Sequence, residues 1–266
     1  MKKISMSEAN KRAYDTPGGP ESYARNTSLL KAEEFIFSYL NEAIKDKAIL
    51  DIGVGAGRTV PYLSGLSKDY TGIDYSENML KYCRVKHNDA KLLLCDARNM
   101  DVFEDRAFDV VFCGWNAIDD ADHGDRTRML GEIYRVLRKN GLFVFSAHNL
   151  DCKRRSAFKF RGFVPARNKV ESIKQNAIRI KRYFMGILNH LHNKRREVHE
   201  KEYSIINDPS HSFGLLTHYT RKENQVRQLE DMGFSEVEMI DEKGSLIGIG
   251  QDCRDGWIYY ICRKPG

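Results

Sequence analysis

Apolar positions along the chain switch repeatedly between two periods. Leu29, Ala32, Ile36, Tyr39, Leu40 and Ala43 recur every three to four residues and predict a helix over 29–44. Ala48-Ile49-Leu50-Asp51-Ile52 is a short, nearly unbroken apolar run and predicts a buried strand ending at Gly53. The switch then repeats. Helices are predicted over 59–66, 76–85 and 126–138, and strands over 70–73, 91–95, 108–113 and 142–146. Pro61 falls in the first turn of its helix, where a missing N–H is tolerated. Ser76 is placed to cap the next helix, and Asn140-Gly141 to stop the one before the fifth strand. Strands separated by helices imply a parallel sheet covered on both faces, an α/β doubly wound architecture. The end of the chain departs from this rule. After a helix over 222–232, the strands 237–240 and 257–261 have no helix between them, so an antiparallel pair is expected there.

Two segments fall outside this alternation. Residues 1–27 are polar, with a Gly/Pro-rich stretch at 16–20, and read as a loop or arm. Residues 151–217 form an insertion between the fifth strand and the last helix. Within it Ile173, Ala177, Ile180, Phe184, Ile187, Leu188 and Leu191 mark one face of a long helix, with basic residues around the other. The length of 266 residues fits a single domain, 1–266, carrying that insertion as a lid.

Charge sharpens the picture. The formal net charge is +6, yet residues 151–200 hold 14 Lys/Arg against 4 Asp/Glu, so that block is +10 and the remainder −4. Such a block suits a solvated helical face, an acidic acceptor, or contact with RNA or an anionic membrane surface. No apolar run approaches the ~20 residues of a membrane span, and no apolar run follows the N-terminal lysines as in a secretory signal. The six cysteines include no CxxC pair. That argues against a zinc site and fits free thiols in a reducing compartment, so no metal and a cytoplasmic location are expected.

The chemistry gathers at the ends of successive strands. Leu50-Asp51-Ile52-Gly53-Val54-Gly55-Ala56-Gly57-Arg58 sets three glycines between a strand and a helix. Glycine there permits a sharp turn and close approach of a ligand, and the helix start offers free N–H groups to an anionic part of it. Dinucleotide folds space their third glycine one position later, where this chain has Arg58. Asp74 closes the second strand and can accept hydrogen bonds from both hydroxyls of a ribose. Asp96, followed by Ala97, closes the third.

The glycine segment resembles motif I of the class I S-adenosylmethionine (SAM)-dependent methyltransferases, acidic-x-Gly-x-Gly-x-Gly. Residues 108–112 look like motif IV of that family. Glu132 to Leu142 is similar to its E-x-x-R-V-L-K-P-G-G segment, with Lys139-Asn140 in place of Pro-Gly. The resemblance covers most of the chain outside the arm and the insertion, and is nearest the small-molecule type. It implies a Rossmann-like sheet of seven strands in the order 3-2-1-4-5-7-6, the last antiparallel. It implies SAM as cofactor and S-adenosylhomocysteine as product. By the family's pattern Asp51, Gly53, Gly55 and Gly57 cradle the methionine part. Asp74 holds the ribose, Tyr75 and Met79 flank the adenine, and Asp96 and Ala97 read its edge. Cys113 and Trp115 lie beside the sulfonium, and Tyr14 or Tyr23 closes over the cofactor.

For the acceptor, His148 at the end of the fifth strand is the candidate general base, since a histidine takes a proton near neutral pH. His218 and Tyr219 are expected to line the acceptor pocket. The function expected is methyl transfer to a small-molecule acceptor, acidic or sugar-linked, with oxygen favoured over nitrogen. The competing readings are a tRNA or rRNA methyltransferase using the basic insertion, and a SAM-binding protein without catalysis. The loop after the fourth strand reads Cys113-Gly114-Trp115-Asn116, unlike the N-P-P-Y type of nucleic-acid methyltransferases, so nucleic acid is not the expected partner. Monomer and homodimer remain open.

Overall fold

The computed structural model describes residues 5–16, 18–152 and 169–266. Its main sheet is built on β1 (Ile49–Ile52), which lies parallel between β2 (Tyr70–Asp74) and β4 (Phe108–Cys113). β3 (Lys91–Leu94) extends it beyond β2, and β5 (Leu137–His148) beyond β4. β11 (Trp257–Arg263) then runs antiparallel between β5 and β9 (Ser235–Ile240). The expected seven-strand order is present, with one addition. The two-residue β10 (Leu246–Ile247) pairs with β9 at the edge and makes the sheet eight-stranded.

Strand alternation divides the core into two layers. Val111 and Cys113 of β4 and Phe143 and Phe145 of β5 face α7 (His123–Val136) and α10 (Lys222–Asp231), joining Leu130, Ile133 and Leu229. Val110, Phe112, Leu142 and Val144 face the opposite way. They meet α3 (Lys31–Tyr39), α5 (Val60–Leu66) and α6 (Glu77–Lys86) through Ile36, Leu63 and Leu80. The parallel strands point their carboxyl ends to one edge, where such sheets bind ligands.

Three local features differ from the sequence expectation. The N-terminal arm is helical: α1 (Met6–Tyr14) and α2 (Gly19–Ala24) are joined at Gly18, whose φ of 86° suits glycine. Ser5 and Glu8 form a capping box on α1, a local signal outweighed in the sequence by the polar composition. The helix expected over 29–44 breaks at Leu40 into α3 and α4 (Asn41–Ile44). α7 starts at His123 because Asp122 caps it, accepting from the Asp125 N–H at 2.9 Å.

The largest difference is in the insertion. After α8 (Lys169–Lys194) it folds into a second antiparallel sheet, β6 (Val198–His199), β7 (Tyr203–Asp208) and β8 (Leu215–Thr220). His218 and Tyr219 lie within β8. These strands carry buried Ser204, Asn207, Thr217 and Thr220, so their burial leaves little hydropathy signal. Asn207 donates to both the Phe213 and Leu215 carbonyls, at 2.9 and 2.7 Å. Residues 153–168, the start of the basic block, lie outside the described residues. Among the described residues no helix is long and apolar enough to cross a membrane.

Candidate active site

A cavity of about 320 Å³ opens at the carboxyl edge of the sheet, walled by the strand tips, α1, α2 and the β7–β8 region. Gly53, Gly55 and Gly57 all have positive φ, at 70°, 56° and 89°. A side chain at Gly53 would place its Cβ 2.7 Å from that of Ala117, so this turn tolerates only glycine. Gly55 has open space above it, and its N–H donates to Asp74 Oδ2 at 2.8 Å.

Carboxylates dominate the wall. Asp51 accepts from Thr59 Oγ1 at 2.7 Å and Tyr70 OH at 3.0 Å, and burial still pushes its pKa up to about 7. Asp74 accepts backbone N–H groups of Gly55 and Ser76, and burial raises it to about 6. Asp120 accepts from Tyr14 OH at 3.0 Å and is raised to about 7, again by burial. Two arginines share the wall, and both are already paired: Arg58 with Glu33, and Arg98 with Asp96 and Asp125. Three polar atoms on the wall are buried without a protein partner: Tyr75 OH, Asn116 Oδ1 and Trp257 Nε1. Acids, orphaned polar atoms and a glycine turn suit a ligand that brings positive charge and hydroxyl donors. SAM, with its ammonium, sulfonium and ribose, has that chemistry, so these residues fit it.

His148 faces the cavity from the tip of β5, with its side chain 22% exposed. Its Nδ1 lies 3.0 Å from Asp119 Oδ2, and its backbone N–H donates to the same oxygen at 2.6 Å. Asp119 is fully buried in the 3₁₀ turn Ala117–Asp120 and also meets Arg126 Nε at 3.1 Å. Burial pushes the Asp119 carboxyl up, but the His148 hydrogen bond and Arg126 outweigh it and hold the group below its ordinary value. For His148 burial favours the neutral ring, and Asp119 overrides this to raise its pKa. With Nδ1–H directed at Asp119, the neutral ring carries its lone pair on Nε2. That nitrogen is 3.3 Å from Nδ2 of Asn116, another cavity residue.

Of the residues singled out by sequence, Tyr14, Tyr23, Asp51, Gly53, Gly55, Asp74, Tyr75, Met79, Asp96, Ala97, Trp115 and His148 all line this cavity. Gly57, Cys113, His218 and Tyr219 do not. Gly57 is packed against Cys83 and His87, and Cys113 points into the core layer under the sheet. His218 is buried behind the wall, 3.2 Å from His123, and burial with nearby Arg126 drives its pKa down to about 3, so it stays neutral. Tyr219 supports the wall from behind. Its hydroxyl donates to Asp208 at 2.7 Å and its ring lies against His148. The loop Cys113 to Asn116 is expected beside the sulfonium, and Asn116 does line the cavity, whereas Asp119, Asp120, Asp208 and Trp257 carry no such sequence signal. The last two sit on elements whose path to the cavity no local pattern signals. Trp115 and Asn116 have φ of 50° and 58°, and this tight turn aims Asn116 inward.

Residues 50–145 match the family model described as a methyltransferase domain. The chain is 30% identical over 106 residues to the fatty-acid O-methyltransferase of Mycolicibacterium smegmatis, covering 39% of this chain and 38% of that protein. It is 31% identical over 108 residues to the demethylmenaquinone methyltransferase of Thermotoga maritima, covering 38% and 43%. The chain thus spans less than half the length of these curated relatives. Its fold superposes with a TM-score of 0.57 on a Burkholderia thailandensis 1,6-didemethyltoxoflavin-N1-methyltransferase with bound 1,6-didemethyltoxoflavin and S-adenosylhomocysteine. That alignment has 10% identity and covers 98% of this chain and 88% of the other. Residues 50–145 therefore resemble a methyltransferase domain, and the fold around them is the one seen in solved SAM-dependent methyltransferases.

Proposed function

We propose that this protein is a SAM-dependent methyltransferase acting on a hydroxyl oxygen of a small, sugar-type acceptor, with His148 as general base. SAM supplies an electrophilic methyl group when bound. The chain's own task is to hold SAM by Asp51, the glycine turn, Asp74, Tyr75, Met79, Asp96 and Ala97, to align the acceptor, and to take its proton. The observation that carries the reading is the Asp119–His148 pair opening onto the cavity, which suits an acceptor that must lose a proton. The acceptor side combines aromatic faces of Trp115 and Trp257 with polar Asn116, Asp208, Ser210 and Thr217. Aromatic faces with hydrogen-bonding groups suit a sugar-like hydroxyl compound. Carboxylates on the wall and the absence of an unpaired arginine among its described residues disfavour an anionic one. The two curated relatives are named for lipid and quinone substrates, which agrees with a small organic acceptor. Tyr14 and Tyr23, on α1 and α2, cover the cofactor side. Cys83, Cys95, Cys113, Cys253 and Cys262 are buried thiols, in keeping with a cytoplasmic site of action.

Calorimetry with SAM or S-adenosylhomocysteine, followed by a mass-spectrometric screen for acceptors that gain a methyl group, tests this reading. Asp74→Ala is expected to weaken cofactor binding more than about tenfold, because a buried carboxylate that meets the ribose is lost. Unchanged affinity removes the ribose assignment. Tight cofactor binding without turnover of any acceptor favours the non-catalytic alternative, and methylation of RNA alone the nucleic-acid one.

The raised acids add a pH dependence. Each must be ionised to receive the cofactor's donors, and each is protonated in the free protein below about 7 for Asp51 and about 6 for Asp74. Affinity for SAM is expected to hold above neutrality and to fall as pH drops through that window, by up to roughly tenfold per pH unit for each group. Isothermal titrations across this range check it, and a flat profile contradicts the assignment of these carboxylates.

A further inference from the structure

α8 is packed with its faces reversed. Its polar side holds it to the protein. Asn189 donates to the Ser212 carbonyl and Asn193 to the Phe213 carbonyl, each at 3.0 Å, and His190 Nδ1 lies 2.9 Å from Asn207 Oδ1. Gly186 on the same side lies against the turn α9 (Ser210–Phe213). The apolar face marked in the sequence points outward instead. Ile173 is 70% exposed, and Phe184, Leu188 and Leu191 are 60–62% exposed. Steps of eleven, four and three residues, close to whole helical turns, put all four on one stripe. Exposed Lys181 and Lys194 flank it. Across 169–194 the helix has six Lys/Arg and one Asp/Glu.

A stripe of large apolar side chains in water is unfavourable unless something covers it. We infer that this face docks onto an anionic phospholipid surface, with α8 lying in the plane of the headgroups. Charge decides the occupant. A second copy would set one strongly basic helix against another. RNA would satisfy the lysines but give Phe184, Leu188 and Leu191 nothing to bury in. A bilayer rich in acidic lipids does both, taking the apolar stripe among the acyl chains and the flanking lysines at the phosphates. A helix of 26 residues spans ~39 Å along such a surface, and its charges bar it from crossing. The turn that α8 grips leads directly to Asp208 and Ser210 of the cavity wall. Docking therefore holds the acceptor side of the cavity one helix thickness, ~10 Å, from the headgroups. This surface stands apart from the assigned reaction, and binding and turnover are measured separately.

Flotation of the full chain with phosphatidylglycerol–phosphatidylcholine vesicles, against pure phosphatidylcholine vesicles, tests it. The protein is expected to float with the acidic vesicles and not with the neutral ones, less so as salt is raised. Phe184→Glu/Leu188→Glu and Lys181→Glu/Lys194→Glu are each expected to weaken vesicle binding by at least about tenfold while the heat of S-adenosylhomocysteine binding is kept. No flotation with acidic vesicles overturns the inference, as does flotation untouched by Phe184→Glu/Leu188→Glu. Two other results overturn it in favour of another occupant. One is a dimer in sedimentation that this variant dissolves. The other is salt-sensitive RNA binding that the variant leaves intact while vesicles go unbound.

Discussion

Replacing His148 by alanine is expected to slow methyl transfer roughly a hundred- to ten-thousandfold, the usual contribution of a positioned general base, while S-adenosylhomocysteine binds as before. The reasoning rests on the ring's two nitrogens. Nδ1 is committed to Asp119 at 3.0 Å, so only Nε2 is left to receive a proton from an acceptor in the cavity. The pH profile carries a second signature. Protonated His148 cannot act as a base, so the wild-type rate should climb with pH through an apparent pKa above that of an ordinary histidine. The raised value follows from Asp119, which overcomes the opposing effect of burial. Asp119→Asn removes that anion, the main effect opposing burial, so the same limb should move to lower pH as well as losing height. Because Asp119 also faces buried Arg126, its variant must first be shown to be folded by its melting temperature and cofactor binding. Full activity in His148→Ala, or a wild-type rate flat across the histidine range, removes His148 from the reaction.

That pairing marks where sequence reasoning stops. Strand tips were legible because each is a local event: Gly53 to Gly57 after β1, Asp74 ending β2 and Asp96 just after β3 are read within a few residues. His148 was legible for the same reason, as a polar residue ending an apolar strand. Its partner was not. Asp119 lies 29 positions earlier, in a 3₁₀ turn without periodicity, and only the parallel pairing of β4 with β5 brings them together. The second sheet was hidden by a different cause. Asn207, Thr217 and His218 are buried, Asn207 with its amide donating to two backbone carbonyls, so the strands that carry them look hydrophilic although they lie inside the protein. For α8 the pattern itself was read correctly, with its apolar stripe and basic flanks. Which side faced the protein could not follow from the pattern, because asparagine side chains reaching backbone carbonyls outweighed the apolar face in fixing the helix.

Glu33→Ala is expected to cost about 3–5 kcal/mol of stability in chemical denaturation, the penalty for leaving a buried charge without its partner. Glu33 is fully buried in α3, and both its oxygens accept from Arg58, itself 8% exposed. The same carboxylate accepts from Tyr259 OH at 2.6 Å and the Leu30 N–H at 2.9 Å, so its loss orphans three groups together. A double variant separates the causes. If the orphaned guanidinium accounts for the loss, Glu33→Leu/Arg58→Met should recover most of it, since buried ion pairs are often replaced by apolar side chains at little cost. If the double variant is as unstable as the single one, packing rather than charge is responsible and the argument fails. Ligand binding should not recover in parallel. Arg58 follows the glycine turn and lies against the Trp115 ring at 4.7 Å, so the ion pair ties α3 and β11 to two walls of the cavity. A stable double variant with weakened S-adenosylhomocysteine affinity is therefore the expected outcome, since a charge that adds little to net stability still fixes the geometry of the cofactor side.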